Sequence, residues 1–287
     1  MNKSNVVLVA ETGSDTPFDW AKENGVYIVP MHVSFGDVTL DDGSFPVEDI
    51  RAYYEKTGEV PKTSASSPDD FTRVFDEIHE LWPEKHILHL AYSAATTASY
   101  QSAIIAAEGR DYVTSIDTKQ VSIGQAAVVI AMAQVLEENP DITVQEAITT
   151  AEKISKQVHM CFLPDNLAYL RAGGRVSNAA YMGSRILQLH PCIDIQDGLL
   201  VATKKYRGTL AKIAPRFIQE YTEEYNFRKD KVYLIRSLGL SRDIEAIAEE
   251  QIIKLGFKEF AWMTVGCVIT AHGGPGAFGV AGFTENK

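Results

Sequence analysis

Apolar residues along this chain alternate between two patterns. Short dense runs, "VVLVA" at 6–10, "VYIVPMHVSF" at 26–35, "HILHLAY" at 86–92, "YVTSID" at 112–117, "KVYLIRS" at 231–237 and "FAWMTVGCVIT" at 260–270, have the length and β-branched content of strands. Between them lie stretches with helical spacing at 68–82, 143–158 and 241–256. Two of these carry start signals: Ser67 precedes Pro68 and Asp70, and Ser241 precedes Asp243. The alternation predicts an α/β fold with largely parallel sheets flanked by helices.

Past Asp165 the rhythm changes. The order there reads as a helix with a glycine stop, a second helix over 178–190, a hairpin turning at Asp197-Gly198, and another helix. This change places a boundary near His159, with an N-terminal α/β domain over 1–158 and a C-terminal α/β domain over 159–287. On the second helix, Met182, Ile186 and Leu189 share one apolar face.

Composition narrows the class. The net charge of −11 and pI near 5.1 argue against nucleic acid and against an extended anionic surface. The longest uninterrupted apolar stretch, "AAVVIAMA" at 126–133, is far short of a bilayer span and reads as a buried helix face. The run at 6–10 is too brief for a secretory core, and Cys161, Cys192 and Cys267 are odd in number with no C-x-x-C. Together these predict reduced thiols in a cytoplasmic protein.

The chemistry is sparse. There is no G-x-x-x-x-G-K-[ST], H-E-x-x-H or G-x-S-x-G. His86 and His89, three apart on a strand, point to opposite faces and do not form a metal pair. Gly274, Gly276 and Gly279 spell G-x-G-x-x-G, but no βαβ unit follows them, so neither a dinucleotide nor another cofactor is expected. The bland alternative is a tight strand-to-strand turn. His272 stands beside that turn, where a row of free backbone N–H groups would favour an anion. Hydroxyls cluster after strands in "TSASSP" at 63–68 and "YSAATTASYQSA" at 92–103, at helix starts where anions bind. Each serves equally as a cap or turn residue. A cup of Ser93, Thr96, Thr97 and His272 without Arg or Lys suits a carboxylate better than a phosphate.

In order and spacing, "TSAS" (63–66), "YSAATTASYQSA" (92–103), "IDT" (116–118), "LAYLRAGGR" (167–175), "HPCIDIQDGLL" (190–200) and "TAHGGPGAFGV" (270–280) resemble the landmarks of the DegV family, which includes the fatty-acid-binding B subunits of bacterial fatty acid kinase. The resemblance implies a two-domain α/β fold that buries a long-chain fatty acid such as palmitate or oleate near the domain junction. It implies that Thr63, Ser93 and His272 hold the carboxylate, with Thr97, Gly273 and Gly274 as further polar groups. The acyl chain would lie in an apolar tunnel walled in part by Met182, Ile186 and Leu189. Arg207, and with it Arg175, would face a separate ATP-binding kinase subunit, so the chain itself would not be an enzyme. Transient membrane contact would supply the lipid. The sequence departs from the family pattern at Glu11-Thr12-Gly13, where an acidic D-S-[ST] is usual, and at Ala94 and Ala98. Two other readings stay open: an α/β hydrolase-like enzyme using Ser93 and His272, and a sensor of another small carboxylate.

Overall fold

The computed structural model describes residues 4–174 and 189–285. Four strands, β1 (Val6–Glu11), β2 (Tyr27–Val29), β6 (His86–Ala91) and β7 (Val113–Asp117), pair in parallel in the order β2-β1-β6-β7. Every residue of β1 is buried, as a parallel strand covered on both faces requires. A small antiparallel sheet of β3 (His32–Phe35), β4 (Val38–Asp41) and β5 (Lys62–Ser64) runs in the order β4-β3-β5. The apolar run at 26–35 is thus two strands in two sheets, parted at Pro30 and Met31.

The second large sheet holds β8 (Val158–Leu163), β9 (Leu189–Gln196), β10 (Leu199–Arg207), β11 (Phe227–Arg236), β12 (Glu259–Thr264) and β13 (Phe278–Thr284) in the order β10-β9-β8-β13-β11-β12. The α/β class holds, but parallel pairing in this sheet is confined to β11 with β12. The reason is connectivity. β9 and β10 form a hairpin, with Asp197 at φ 49° and Gly198 at φ 82° as its tight turn demands. The final strand then threads antiparallel between β8 and β11. Its glycines allow close approach: a Cβ on Gly279 would lie 2.5 Å from the Cys161 carbonyl, and one on Gly282 would lie 2.5 Å from the Phe227 ring.

Between the two large sheets lies the helix Ser122–Glu138, apolar on nearly all sides. It joins Val6, Leu8, Leu88 and Leu90 of the first sheet to Tyr233, Ile235, Ala281 and Phe283 of the second in one core. The far face of the first sheet is covered by the helix Pro68–Leu81 through Phe71, Val74, Phe75 and Ile78, which fall at helical spacing. Ser67 and Asp70 form a capping box there, Thr143 and Glu146 form another, and the Ser241 hydroxyl accepts the Ile244 N–H. No helix among the described residues is long and apolar enough to cross a membrane.

One predicted strand is half helix. The run at 260–270 leaves the sheet at Thr264 and becomes the helix Cys267–Gly273. Its first N–H groups are taken by distant carboxylates: Gly266 N–H donates to Asp15 Oδ1 at 2.6 Å, and Cys267 N–H donates to Asp42 Oδ1 at 3.1 Å. Those partners supply the cap that the local sequence lacks.

Candidate functional site

The helix end and the β5 strand meet at one bond. Thr63, central in β5 and paired with Val33 of β3, sets its Oγ1 2.8 Å from Nε2 of His272, in the last turn of the helix Cys267–Gly273. Gly173 makes the fit possible, since a Cβ there would lie 2.4 Å from His272 Nδ1. Around this pair, Thr63, Ser64, Thr96, Thr97 and His272 line a polar recess, with Met31, Tyr92, Leu200 and Val268 as its apolar share. A second recess adjoins it, lined chiefly by Val121, Met160, Phe162, Leu170, Ile235, Val265 and Ile269. Tyr92, Leu200 and His272 border both. The arrangement is amphiphilic, with hydroxyls and an imidazole at one end and aliphatic side chains at the other.

The turn after His272 differs from the expected row of free N–H groups. It joins a helix to a strand, and its donors are engaged. Gly274 N–H donates to Thr270 O at 2.9 Å, Gly276 N–H to Leu238 O at 2.8 Å and Ala277 N–H to the Ser237 hydroxyl at 2.7 Å, while Ser237 itself donates to Gly274 O at 2.8 Å. Gly274 and Gly276 have φ of 79° and 77°, so these two glycines serve the turn. Gly273 instead borders the apolar recess.

Other predicted residues fall in several places. Ser93 is fully buried and donates to the Gly198 carbonyl at 2.7 Å. The Thr97 hydroxyl reaches the recess and lies 3.4 Å from Ser99 Oγ. Leu189 opens strand β9 opposite Arg207, so it does not share a helical face with Met182 and Ile186. The strand begins there because its backbone pairs with β10. Arg207 is exposed at the end of β10. Met182, Ile186 and Arg175 lie outside the described residues. His86 bonds Thr114 Oγ1 at 2.9 Å and His89 bonds Ser115 Oγ at 3.1 Å, and no metal-holding cluster occurs among the described residues.

A family model described as that of an uncharacterised protein, the DegV family, matches residues 5–285. The chain belongs to the DegV family. It is similar to a fatty acid-binding protein of Thermotoga maritima, 26% identical over 96% of this chain and 96% of that one. The solved structure of a fatty-acid-binding DegV family protein from Thermus thermophilus overlays it with TM-score 0.85, at 26% identity, over 97% of this chain and 99% of the other. The Streptococcus pneumoniae fatty acid kinase B3 protein, solved with linoleic acid, shares the fold at TM-score 0.83 and 14% identity, over 98% and 99% of the two chains.

In this DegV chain the departure at Glu11-Thr12-Gly13 has a local rationale. Glu11 is fully buried and accepts the Tyr92 N–H on both carboxylate oxygens, at 3.2 and 3.0 Å, and the Gln125 amide at 2.8 Å. His89 Nε2 lies 3.3 Å from it. Burial pushes the Glu11 carboxyl up, but the His89 charge and the hydrogen bonds from His89, Gln125 and the Tyr92 N–H together set it below the usual range. Thr12 Oγ1 accepts the Met31 N–H at 2.9 Å. A Cβ on Gly13 would lie 2.7 Å from Met31 Sδ and 3.1 Å from the Tyr92 ring, so glycine leaves room for two recess walls.

Asp15 and Asp42 behave oppositely. Burial drives the Asp15 carboxyl well above its usual range despite bonds from Ser122 and the Gly266 N–H, and the nearby Asp42 charge adds to the rise. Burial raises Asp42 as well. Sequence reasoning missed all three acids as parts of the site, because their partners are remote in the chain and no spacing announces them.

Proposed function

We propose that this DegV chain binds one long-chain fatty acid, such as palmitate or oleate, and presents its carboxyl group to a separate ATP-binding kinase subunit. The single observation that carries this reading is the pair of recesses joined at Tyr92, Leu200 and His272, polar on one side and aliphatic on the other. The carboxylate sits among the Thr63 and Thr97 hydroxyls and the His272 imidazole, where the segments 1–158 and 159–287 meet, while Ser93, buried and bonded to the Gly198 carbonyl, borders neither recess. Gly273 and Gly274 shape the backbone beside it. The chain enters the aliphatic recess, where each buried CH₂ contributes about 0.8 kcal/mol, so the tail supplies affinity and the head sets orientation. No Arg or Lys lines the polar recess among the described residues, which suits a carboxylate rather than a phosphate. Kinship with relatives described as fatty-acid-binding supports the lipid. The kinase half rests on the shared fold of the kinase B3 protein and on the exposure of Arg207.

The hydrolase alternative needs Ser93 and His272 to bond each other. Instead the Ser93 hydroxyl donates to Gly198 O, and His272 Nε2 faces Thr63. Mass spectrometry of an organic extract of the purified protein tests the reading. A co-purifying long-chain fatty acid is the expected result. A polar carboxylate in its place points to a sensor, and failure of the delipidated protein to bind added oleate overturns the proposal.

A further inference from the structure

An amphiphile that fills both recesses has to pass the three side chains they share, Tyr92, Leu200 and His272. These three form a neck, and Tyr92 is its most firmly held side. Both Glu11 carboxylate oxygens accept the Tyr92 N–H, at 3.2 and 3.0 Å. Just before it the Ala91 carbonyl accepts the Thr118 hydroxyl at 2.7 Å, and just after it the Ser93 N–H donates to the Gln120 carbonyl at 2.9 Å. The ring is held as well. It packs against two apolar clusters, one with Leu90 and Ile235 and the other with Met31 and Val268, and a Cβ on Gly13 would lie 3.1 Å from its Cε2. Leu200, by contrast, belongs to the edge strand β10, which pairs with β9.

His272 borders the neck and also bonds Thr63 in the polar recess. A carboxylate held at that pair therefore places in the neck the carbons next to its carboxyl. A bare methylene chain is the slimmest thing that can pass there. A methyl on the second carbon adds volume against a ring with no room to retreat, and overpacking of that kind is destabilising.

We propose that Tyr92 is a specificity-determining residue: its ring, fixed at the neck, admits fatty acids that are unbranched beside the carboxyl and rejects those substituted there. The inference rests on the fatty-acid reading above. Branching at the far end of the chain lies beyond the neck and escapes this selection.

Calorimetric titration of the delipidated protein with palmitate, and with palmitate carrying two methyls on its second carbon, tests this. The dimethyl acid presents a methyl on each face of the chain, so one of them meets the ring in either orientation. The parent is expected to bind it at least about tenfold more weakly than palmitate, the lower end of what one methylene decides in a fitted pocket. An iso-branched acid, with its methyl at the far end, is expected to bind the parent like palmitate. Tyr92→Ala is expected to shrink the preference for palmitate over the dimethyl acid to about threefold or less, a difference under 1 unit on the tenfold scale. Tyr92→Phe, which keeps the ring, is expected to keep the preference. A ring with a merely structural role would weaken both acids alike and leave their ratio where the parent has it. Should Tyr92→Ala fail to fold, Tyr92→Leu, smaller and still apolar, takes its place beside the parent comparison. A parent that binds the two acids equally, or a folded Ala or Leu variant that keeps the parent's ratio, overturns the inference and leaves the function standing. Failure of the parent to bind palmitate overturns the fatty-acid reading, and the inference with it.

Discussion

Two buried carboxylates four residues apart, Glu11 and Asp15, each hold one wall of the polar recess, and their surroundings shift the two carboxyls in opposite directions. Glu11 grips the Tyr92 backbone and has His89 beside it, which favours the charged form. Asp15 caps the helix that carries His272 and faces another acid, Asp42, which favours the neutral form. Burial pushes both the same way. The partners decide the outcome: His89 and the hydrogen bonds from Gln125 and the Tyr92 N–H together outweigh desolvation at Glu11, and a second carboxylate reinforces it at Asp15.

Removing Glu11 tests the charged half most severely. Glu11→Ala leaves His89 without its anion inside the sheet and is expected to lower unfolding stability by about 3–5 kcal/mol. The effect has a sign in pH. A depressed carboxyl contributes stability that is fully present above its unfolded value near 4.5 and is lost as pH falls through the lower folded value. Urea melts from pH 3 to pH 8 should therefore show parent and variant converging at the acid end. A constant gap across that range would mean that Glu11 acts through packing alone.

The two walls should also separate in binding. His272 stands at the end of the Asp15-capped helix, and a hydrogen bond to a charged group is worth about 1.5–3 kcal/mol. His272→Ala is thus expected to weaken oleate about 10- to 150-fold without abolishing it, because the tail keeps its burial. A fatty methyl ester, lacking the charge, should be nearly indifferent to the change. Equal losses for acid and ester in calorimetric titration would remove His272 from the carboxylate.

Asp15→Asn is expected to move stability the other way. Asn preserves an acceptor for the Gly266 N–H and offers a donor to Ser122 without a charge to bury. A raised carboxyl gives stability that is present below its unfolded value near 3.8 and is lost as pH rises toward the folded value. The variant should be more stable than the parent at pH 8 and equal to it at pH 3. A variant less stable than the parent at pH 8 would show that Asp15 is ionised.

The same contrast explains what the sequence disclosed. Helices with their own caps, such as those after Ser67 and Ser241, are legible because the partner lies three residues away. The first residues of the helix Cys267–Gly273 fall in the apolar run at 260–270 that reads as strand, because the caps arrive from Asp15 and Asp42, more than 220 residues distant. The hydroxyls and His272 stood out by type, yet the Thr63–His272 bond spans 209 residues and only the folded sheets bring it together. Ser93 was legible as a polar group, but its bond to Gly198 depends on the hairpin docking across the site. Leu189 carried a helical period by coincidence and lies in a strand, because backbone pairing with β10 overrides side-chain spacing.

Arg207 lies apart from both walls and serves as their control. It is exposed at the end of an edge strand and borders neither recess, so removing its charge disturbs neither the Tyr92 wall nor the His272 wall. Arg207→Ala is expected to leave oleate affinity within about twofold of the parent, as surface substitutions usually leave stability within about 0.5 kcal/mol. If the residue meets a kinase partner, the rate of acyl-phosphate formation in a reconstituted assay falls while binding stays level, and the loss shrinks as salt screens the contact. The bland role of an exposed cation on a sheet edge is to discourage strand pairing with other chains. That role predicts unchanged acyl-phosphate rates and a greater tendency to self-associate. Parallel measurement of oleate titration, phosphorylation rate and sedimentation on the same variant distinguishes a partner-facing arginine from a guarded edge.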